Sequence, residues 1–415
     1  MTGYTKDEAI DFVEENDVKF IRLAFCDIFG HHKNVSIMPT ELKKAFDVGI
    51  PFDASRVEGY KDPVYQDLLL LPDPATLSIL PWRSQQGTVI RFYCDVVTSE
   101  GKPFPYDARQ FLKKSLSECK SMGFTCHMGI RSEFYLFKAD EDGNPTNTPW
   151  DNGGYFDISP LDKGENIRRE ICLCLEEMGL RPESSHHESG PGQNEIDFKQ
   201  ADALRSADHF ITYKNVVTST AARNGGYASF APKPIEGQSG NGLHLKIELF
   251  EENELMDRKD PKKAENFMAG VLNRMRDITV FLNTSKDSYL RFGENEAPKY
   301  ITWSTQNRSR LMRVPVERGE RSGFILRSPD SEVNPYLAFG MIIRAGLEGI
   351  KKGETLPPPV DKSISLCDKK ERENFGKLPL SLTEAIEWAR GSEFLKQTEI
   401  IDIASRFIDL TEEKD

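Results

Sequence analysis

Glu183 to Phe198, Glu-Ser-Ser-His-His-Glu-Ser-Gly-Pro-Gly-Gln-Asn-Glu-Ile-Asp-Phe, leaves the chain fewest options. A strand-like approach through His187 and Glu188 meets the turn sequence Ser189-Gly190-Pro191-Gly192. Gln193 to Phe198 then alternates polar with apolar, the period of a half-buried strand. The pattern predicts a hairpin with Glu188 and Glu195 facing each other across it. Two carboxylates on one polar face repel unless a cation sits between them, and an all-oxygen pair suits a hard ion such as Mg2+ or Mn2+. Standing alone, the same pattern reads by default as a solvated acidic hairpin, so a third carboxylate is needed to complete a site.

Charge and length narrow the setting. At 415 residues the chain exceeds one ordinary core, so two domains are expected. A net charge of −12 argues against a nucleic-acid partner, whose phosphates call for a basic face. The opening Met1-Thr2-Gly3-Tyr4-Thr5-Lys6-Asp7-Glu8 has neither a basic nor an apolar run, and no stretch approaches the roughly 18 apolar residues of a membrane span. The expectation is a cytoplasmic protein without a membrane partner. Cysteines at 26, 94, 119, 126, 172, 174 and 367 form no C-x-x-C pair and fit a reducing compartment. Cys172 and Cys174, two apart on a predicted helix, do not share a face and read as packing residues.

Along the chain, helices are predicted at Lys6 to Glu15 and Glu41 to Phe46, and strands at Phe20 to Asp27, Asn34 to Ile37 and Val89 to Val96. The Gly/Pro cluster Ser99-Glu100-Gly101-Lys102-Pro103 marks a boundary, giving domains 1–100 and 101–415, the first a small mixed sheet. Beyond it come a helix from Ala108 to Met122, one or two strands from Phe124 to Phe137, and an insertion-like loop from Asp140 to Gly154. Helices Glu165 to Met178 and Asp202 to Arg223 flank the acidic hairpin, and a glycine-rich turn, Gly237 to Gly242, feeds a strand from Leu243 to Leu249. Period-two alternation puts Arg131, Glu133 and Tyr135 on one face of their strand, and His244, Lys246 and Glu248 on one face of theirs. Alternating elements with antiparallel hairpins indicate an α+β fold.

Nine ordered segments now carry a family likeness: Phe52-Asp53-Ala54-Ser55, Ser132 to Phe137, His186-His187-Glu188 with Gly192 to Ile196, Pro232-Lys233-Pro234, Gly240 to His244, Glu296-Ala297-Pro298, Asn307-Arg308-Ser309, Arg313-Val314-Pro315, and Arg327 to Asp330 with Asn334 to Leu337. With these the chain resembles a type I glutamine synthetase over nearly its whole length. The resemblance implies a small β-grasp N-terminal domain, a large α+β catalytic domain, and homo-oligomeric rings, hexamer or dodecamer, with active sites between neighbouring subunits. The chain's end at Thr411 to Asp415 falls short of the segment by which family members lock two rings together, so a single ring or a weaker double ring is expected. The implied chemistry phosphorylates a carboxylate and attacks it with ammonia, using ATP and two divalent ions.

Carried over residue by residue, Glu133, Glu188 and Glu195 would bind one Mg2+ or Mn2+. Asp53, reaching from a neighbouring subunit, would take the ammonium proton, Glu296 would close the site, and Arg308 would join them in catalysis. Asn241, Gly242, His244, Arg291, Arg313 and Arg327 would hold the acidic amino acid, and Glu183, Lys246 and Arg131 would line the nucleotide side. The second ion is where the sequence departs. Its family ligands are a Glu two residues before Glu133, a His matching His244, and a Glu two residues before Arg327, but here the two acids are Arg131 and Ile325. Gly323 replaces a phosphate-binding arginine, and Lys246 a second histidine. Both carboxylate losses point into the site by strand alternation and make it more positive, by two charges at 131 and one at 325. One divalent ion is therefore expected, Arg131 is expected in the volume of the other, and ordinary glutamine synthesis is expected to be slow or absent. Three classes stay open: an ATP-dependent carboxylate-amine ligase, a one-metal enzyme that no longer uses ATP, and a non-catalytic homologue that binds a ligand or joins an assembly.

Overall fold

The computed structural model describes residues 3–83, 87–317 and 319–414. The first unit opens with helix α1 (Lys6–Glu15), held at its start by a reciprocal cap in which the Thr5 hydroxyl accepts from the Glu8 amide and the Glu8 carboxylate accepts from the Thr5 amide. Strands β1 (Val18–Cys26) and β2 (His32–Ile37) form a hairpin, followed by helix α2 (Leu42–Val48), β3 (Ile50–Asp53), β4 (Asp67–Pro72), the short β5 (Ser78–Ile79) and β6 (Thr88–Thr98). The sheet order is β2-β1-β6-β4-β3, with β5 also paired to β6, and the β1/β6 pair is parallel. Alternation along β1 gives the sheet two uses. Ile21, Leu23 and Phe25 join a core under α1 and α2, while Ala24 and Cys26 join the larger core of the rest of the chain.

The second unit runs through helix α3 (Ala108–Ser121), β7 (Phe124–Ala139), β8 (Pro145–Pro149), α4 (Glu165–Glu177), β9 (Pro182–His187), β10 (Gln193–Asp202), α5 (Ala203–Arg223), β11 (Gly226–Ser229) and β12 (Leu243–Glu251). A ten-stranded sheet has as its main path the strands Trp303–Ser304, Met312–Arg313, Phe324–Leu326, then β12, β7, β10 and β9. One face packs on α3, α4 and α5, and the buried helix Pro335–Lys352 packs in turn on α3 and α5. The other carries the polar residues of the alternating strands. The expected α+β fold with an N-terminal β-grasp unit is what forms.

The one or two strands expected from Phe124 form as one, Phe124–Ala139, whose 16 residues pair with four others along its length. One local expectation needs correction. The Asp140–Gly154 stretch is not purely loop: Pro145–Pro149 returns as β8 against the end of β7, an edge position where proline's missing donor is harmless. All seven cysteines are free, Cys174 buried and Cys172 half-buried on α4 as packing residues.

Arg109 fastens the two units together. Only 3% exposed, it donates to Asp73 and Asp95 of the first sheet at 2.9 and 2.7 Å, and to Asp208 of α5 at 3.1 and 3.0 Å. The Tyr336 hydroxyl donates to the same Asp208 at 2.7 Å.

Candidate active site

The polar face of β7, β10 and β12 lines a cavity of 480 Å³. Register explains which side chains meet there. Glu195 lies directly opposite Glu133 across β10 and β7, Asp197 opposite Arg131, and Arg131 opposite His244 of β12. The hairpin Glu183 to Phe198 forms, closed by Glu188 N–H donating to the Gln193 carbonyl at 2.8 Å. Its register differs from expectation: His186, not Glu188, faces Glu195, with the His186 Nε2 to Glu195 Oε1 distance 3.1 Å. Glu188 lies two residues further on the same face.

Candidate ligand atoms within 4.8 Å of one another come in two groups here, Glu133 with Glu195 and His244, and His186 with Glu188 and Glu195. Glu195 belongs to both. The donor set fits a cation. Burial, then repulsion from Glu195 and Glu188, pushes the Glu133 carboxyl well above its ordinary range, although it accepts from Gly242 N–H at 2.7 Å. Burial and Glu195 raise Glu188 too. Glu195 resists the same burial because the His186 hydrogen bond and the charges of His186 and Arg131 hold it low. Acids that repel one another in this way gain most from a positive ion among them.

The arginines stand around this cluster. Arg291 is buried, its guanidinium donating to the Ser328 and Pro329 carbonyls at 3.3 and 3.4 Å. Arg327 donates to the Glu296 carbonyl at 3.3 Å, with the Glu296 carboxylate 3.6 Å away on an exposed turn at φ +68°. Arg313 and Arg308 complete the wall, and burial with Arg308, Arg131 and Arg327 nearby lowers the Arg313 pKa. Arg131 is half exposed, its Nε 3.5 Å from Asp197 Oδ2. It touches neither Glu133 nor Glu188 as an ion pair. Ile325, in register with both Lys246 and Arg313, fills the same face.

Other expected residues lie outside the lining of this cavity. The Asn241 amide turns inward, donating to the Ser229 and Ala231 carbonyls, so it holds the glycine-rich turn and does not line the cavity. Lys246 is engaged with Glu248 at 2.9 Å and Ser322 at 3.1 Å. It lines an adjoining cleft of 1000 Å³ with Glu183, and Arg131, His244 and Ile325 border both spaces. Asp53 stays exposed at the far sheet, bonded to Ser55 N–H and Oγ at 2.9 and 2.6 Å, and does not reach the cavity of its own chain. Residues missed from sequence are Asp197, His186, Gln193, whose amide donates to Glu133 at 3.3 Å, and Tyr155 at the cavity wall. Alternation beyond Glu195 was the available signal for Asp197.

His244 is held near pKa 3 by burial, then by Arg327. Its imidazole is thus neutral and offers a lone pair at pH 7. Because the folded value lies below the unfolded one of about 6.5, the associated stability is full above pH 6.5 and falls away as acid approaches pH 3. His244→Gln is expected to flatten the loss of stability between pH 6.5 and 4.5 by up to about 1.4 kcal/mol per pH unit. Urea melts of both proteins at three pH values measure it, and parallel slopes would refute the burial of a neutral ring.

A β-grasp sheet joined to a ten-stranded sheet with this acid and arginine face defines a glutamine synthetase-like ligase. The chain belongs to the glutamine synthetase family: residues 17–99 match the family's beta-Grasp domain and residues 105–414 its catalytic domain. It is 43% identical to the glutamine synthetase of Clostridium saccharobutylicum over 96% of this chain and 92% of that one, and 44% identical to that of Methanosarcina mazei over 95% and 90%. A GmaS/ADP complex superposes with a TM-score of 0.89 at 26% identity, covering 100% of this chain and 96% of that one. Plasmodium falciparum glutamine synthetase shares the fold, with a TM-score of 0.87 at 21% identity over 100% of this chain and 96% of that one. The family generally uses ATP and divalent metals and is typically oligomeric. Among the described residues no helix is long and apolar enough to cross a membrane.

Proposed function

We propose that the chain is an ATP-dependent carboxylate-amine ligase, acting on glutamate or a related acidic amino acid, that works with one divalent ion per subunit. The observation that carries this reading is the Arg131–Asp197 pair. It puts a guanidinium beside His244 on the cavity face, where a second ion would need a carboxylate. A guanidinium neutralises oxyanions but brings one charge and no Lewis acidity. Glu133, Glu188 and Glu195 are the residues to hold the one Mg2+ or Mn2+, which when bound supplies charge neutralisation at the reacting carboxylate.

The chain's own groups supply the rest. Arg291, Arg308, Arg313 and Arg327 pair the acidic substrate and the transferring phosphate, and Gly242 fixes Glu133 through its amide. Glu296 closes over the site from its turn, and the nucleotide occupies the adjoining cleft against Glu183, Lys246 and Arg131. Asp53 enters from a neighbouring subunit of a cytoplasmic hexameric or dodecameric ring. One observation favours a second reading, an ATP-independent one-metal enzyme: Glu248 already neutralises Lys246, so the nucleotide side has less free positive charge than the sequence suggests.

Electron paramagnetic resonance titration is expected to give one Mn2+ per subunit, with affinity lowered about 100-fold or more in Glu195→Gln. Phosphate release from ATP with glutamate and ammonium should fall well below the usual enzyme range of about 1 to 10³ per second. Two bound Mn2+, or turnover within that range, rejects the one-ion site. Metal and glutamate binding without phosphate release from ATP, whichever amine is supplied, selects the ATP-independent enzyme, and binding of neither selects the non-catalytic homologue.

A further inference from the structure

A second cavity, of 630 Å³, opens at the seam between the β-grasp sheet and α5, apart from the active site. Arg91 of β6 lies in its wall and is only 7% exposed. Its Nη1 donates to the Tyr93 hydroxyl at 3.1 Å and to Thr212 Oγ1 at 2.7 Å, and the guanidinium lies 4.0 Å above the Tyr93 ring. Its Nε is buried and has no hydrogen-bond partner, and among the described residues no carboxylate pairs with it. The acids lining the cavity are committed elsewhere: Asp73 and Asp208 to Arg109, Asp202 to Arg205 and the α5 cap, Glu8 to the α1 cap.

The strand register sharpens the imbalance. Arg22 of β1 is the direct neighbour of Arg91 on one side, and Ser78 of β5 on the other, so two guanidiniums stand side by side on one sheet face. Like charges directly opposite destabilise a sheet, and a buried cation without a counter-charge is costlier still. Nearby, burial and then Arg91 and Arg22 hold His32 neutral, near 3, and burial with Arg205 and Arg91 holds His209 near 4 against Asp208 and Asp202. An oxyanion presented to the free edge of a guanidinium satisfies both charge and donors.

We propose that this seam cavity binds a small oxyanion, phosphate or carboxylate, held by Arg91 with the Ser78 hydroxyl beside it. Since Arg91 is on the β-grasp sheet and its partner Thr212 on α5, the occupant rests on both units, an effector position separate from substrate.

The test uses the full chain in anion-poor buffer, titrated separately with inorganic phosphate and with succinate, and read by calorimetry and melting temperature. Wild type and Arg308→Gln, the latter weakened for phosphate at the active site, should both respond, and Arg91→Gln should lose at least tenfold in affinity. Ser78→Asp places a carboxylate next to Arg91, so it should melt higher without ligand and respond to neither anion. It carries the test if Arg91→Gln does not fold. A response to one anion alone identifies phosphate or carboxylate as the source. Equal responses in wild type and Arg91→Gln, an undiminished response in Ser78→Asp, or no response to either anion in wild type would overturn the site.

Discussion

Replacing Arg131 and Ile325 together by glutamate is expected to take Mn2+ binding from one ion to two per subunit and to raise ATP-dependent amide formation by about 100-fold or more. Both positions lie on the cavity face beside His244, Arg131 in direct register with it and Ile325 in register with Lys246, two residues along β12. His244 is already neutral, so two new carboxylates would complete an N/O donor set around it. The exchange removes the cation paired with Asp197 and lowers the net charge by three, two units at 131 and one at 325. Without metal the double variant should therefore melt lower than wild type, and Mn2+ should restore it, since a ligand bound only by the folded state stabilises by mass action. Stoichiometry and phosphate release measured side by side decide the matter. A variant that still binds one ion and turns over no faster removes Arg131 from the explanation. The single variant Arg131→Glu should show a partial gain, because Ile325 still leaves an apolar wall where an ion needs oxygen.

A loss of about 3 to 5 kcal/mol in folding stability is expected for Arg109→Met, the cost of leaving buried carboxylates without their cation. Arg109 meets Asp73, Asp95 and Asp208 with three of its nitrogens, and Tyr336 leans on the same Asp208. Among the described residues Lys113, 2.5 Å from Asp95, is the other cation ion-paired to this set, and it pairs with Asp95 alone. Arg109→Lys should recover little, because a single ammonium lacks the planar fork that serves several carboxylates at once. Equilibrium urea unfolding gives the number. A shift below about 1 kcal/mol would mean that the seam is held by its apolar contacts, with the polar cluster merely tolerated.

The sequence made the elements visible where their period was long and cleanly bounded. α1, α3, α4 and α5 lie within a residue or so of their expected limits, because Thr5, Asp107 and Asp202 cap three of them and Gly123 and Gly179 follow two of their ends. The face shared by Arg131 and Glu133 followed from alternation alone. Pairing was less accessible. Which residue lies opposite Glu195 depends on how many residues the Ser189 to Gly192 turn consumes, and one hydrogen bond from Glu188 to Gln193 sets that count and brings His186 into the opposing place. Asp197 escaped notice for a related reason: its role exists only because the register of β10 on β7 carries it to Arg131. Asn241 shows the opposite limit. A residue type suited to binding a ligand is spent here on the carbonyls of Ser229 and Ala231, and only the path of the turn reveals it.

Gly323 differs in kind from Arg131 and Ile325. The family resemblance puts an arginine there, but the backbone now runs at φ +60°, and a β-carbon would sit 2.2 Å from the Ile247 carbonyl oxygen and 2.8 Å from Glu248 Cγ. At 131 and 325 an acid needs only a side-chain exchange. At 323 an arginine needs the segment itself to shift first. Gly323→Arg is therefore expected to strain the backbone beside β12, a cost that neither of the other two exchanges carries.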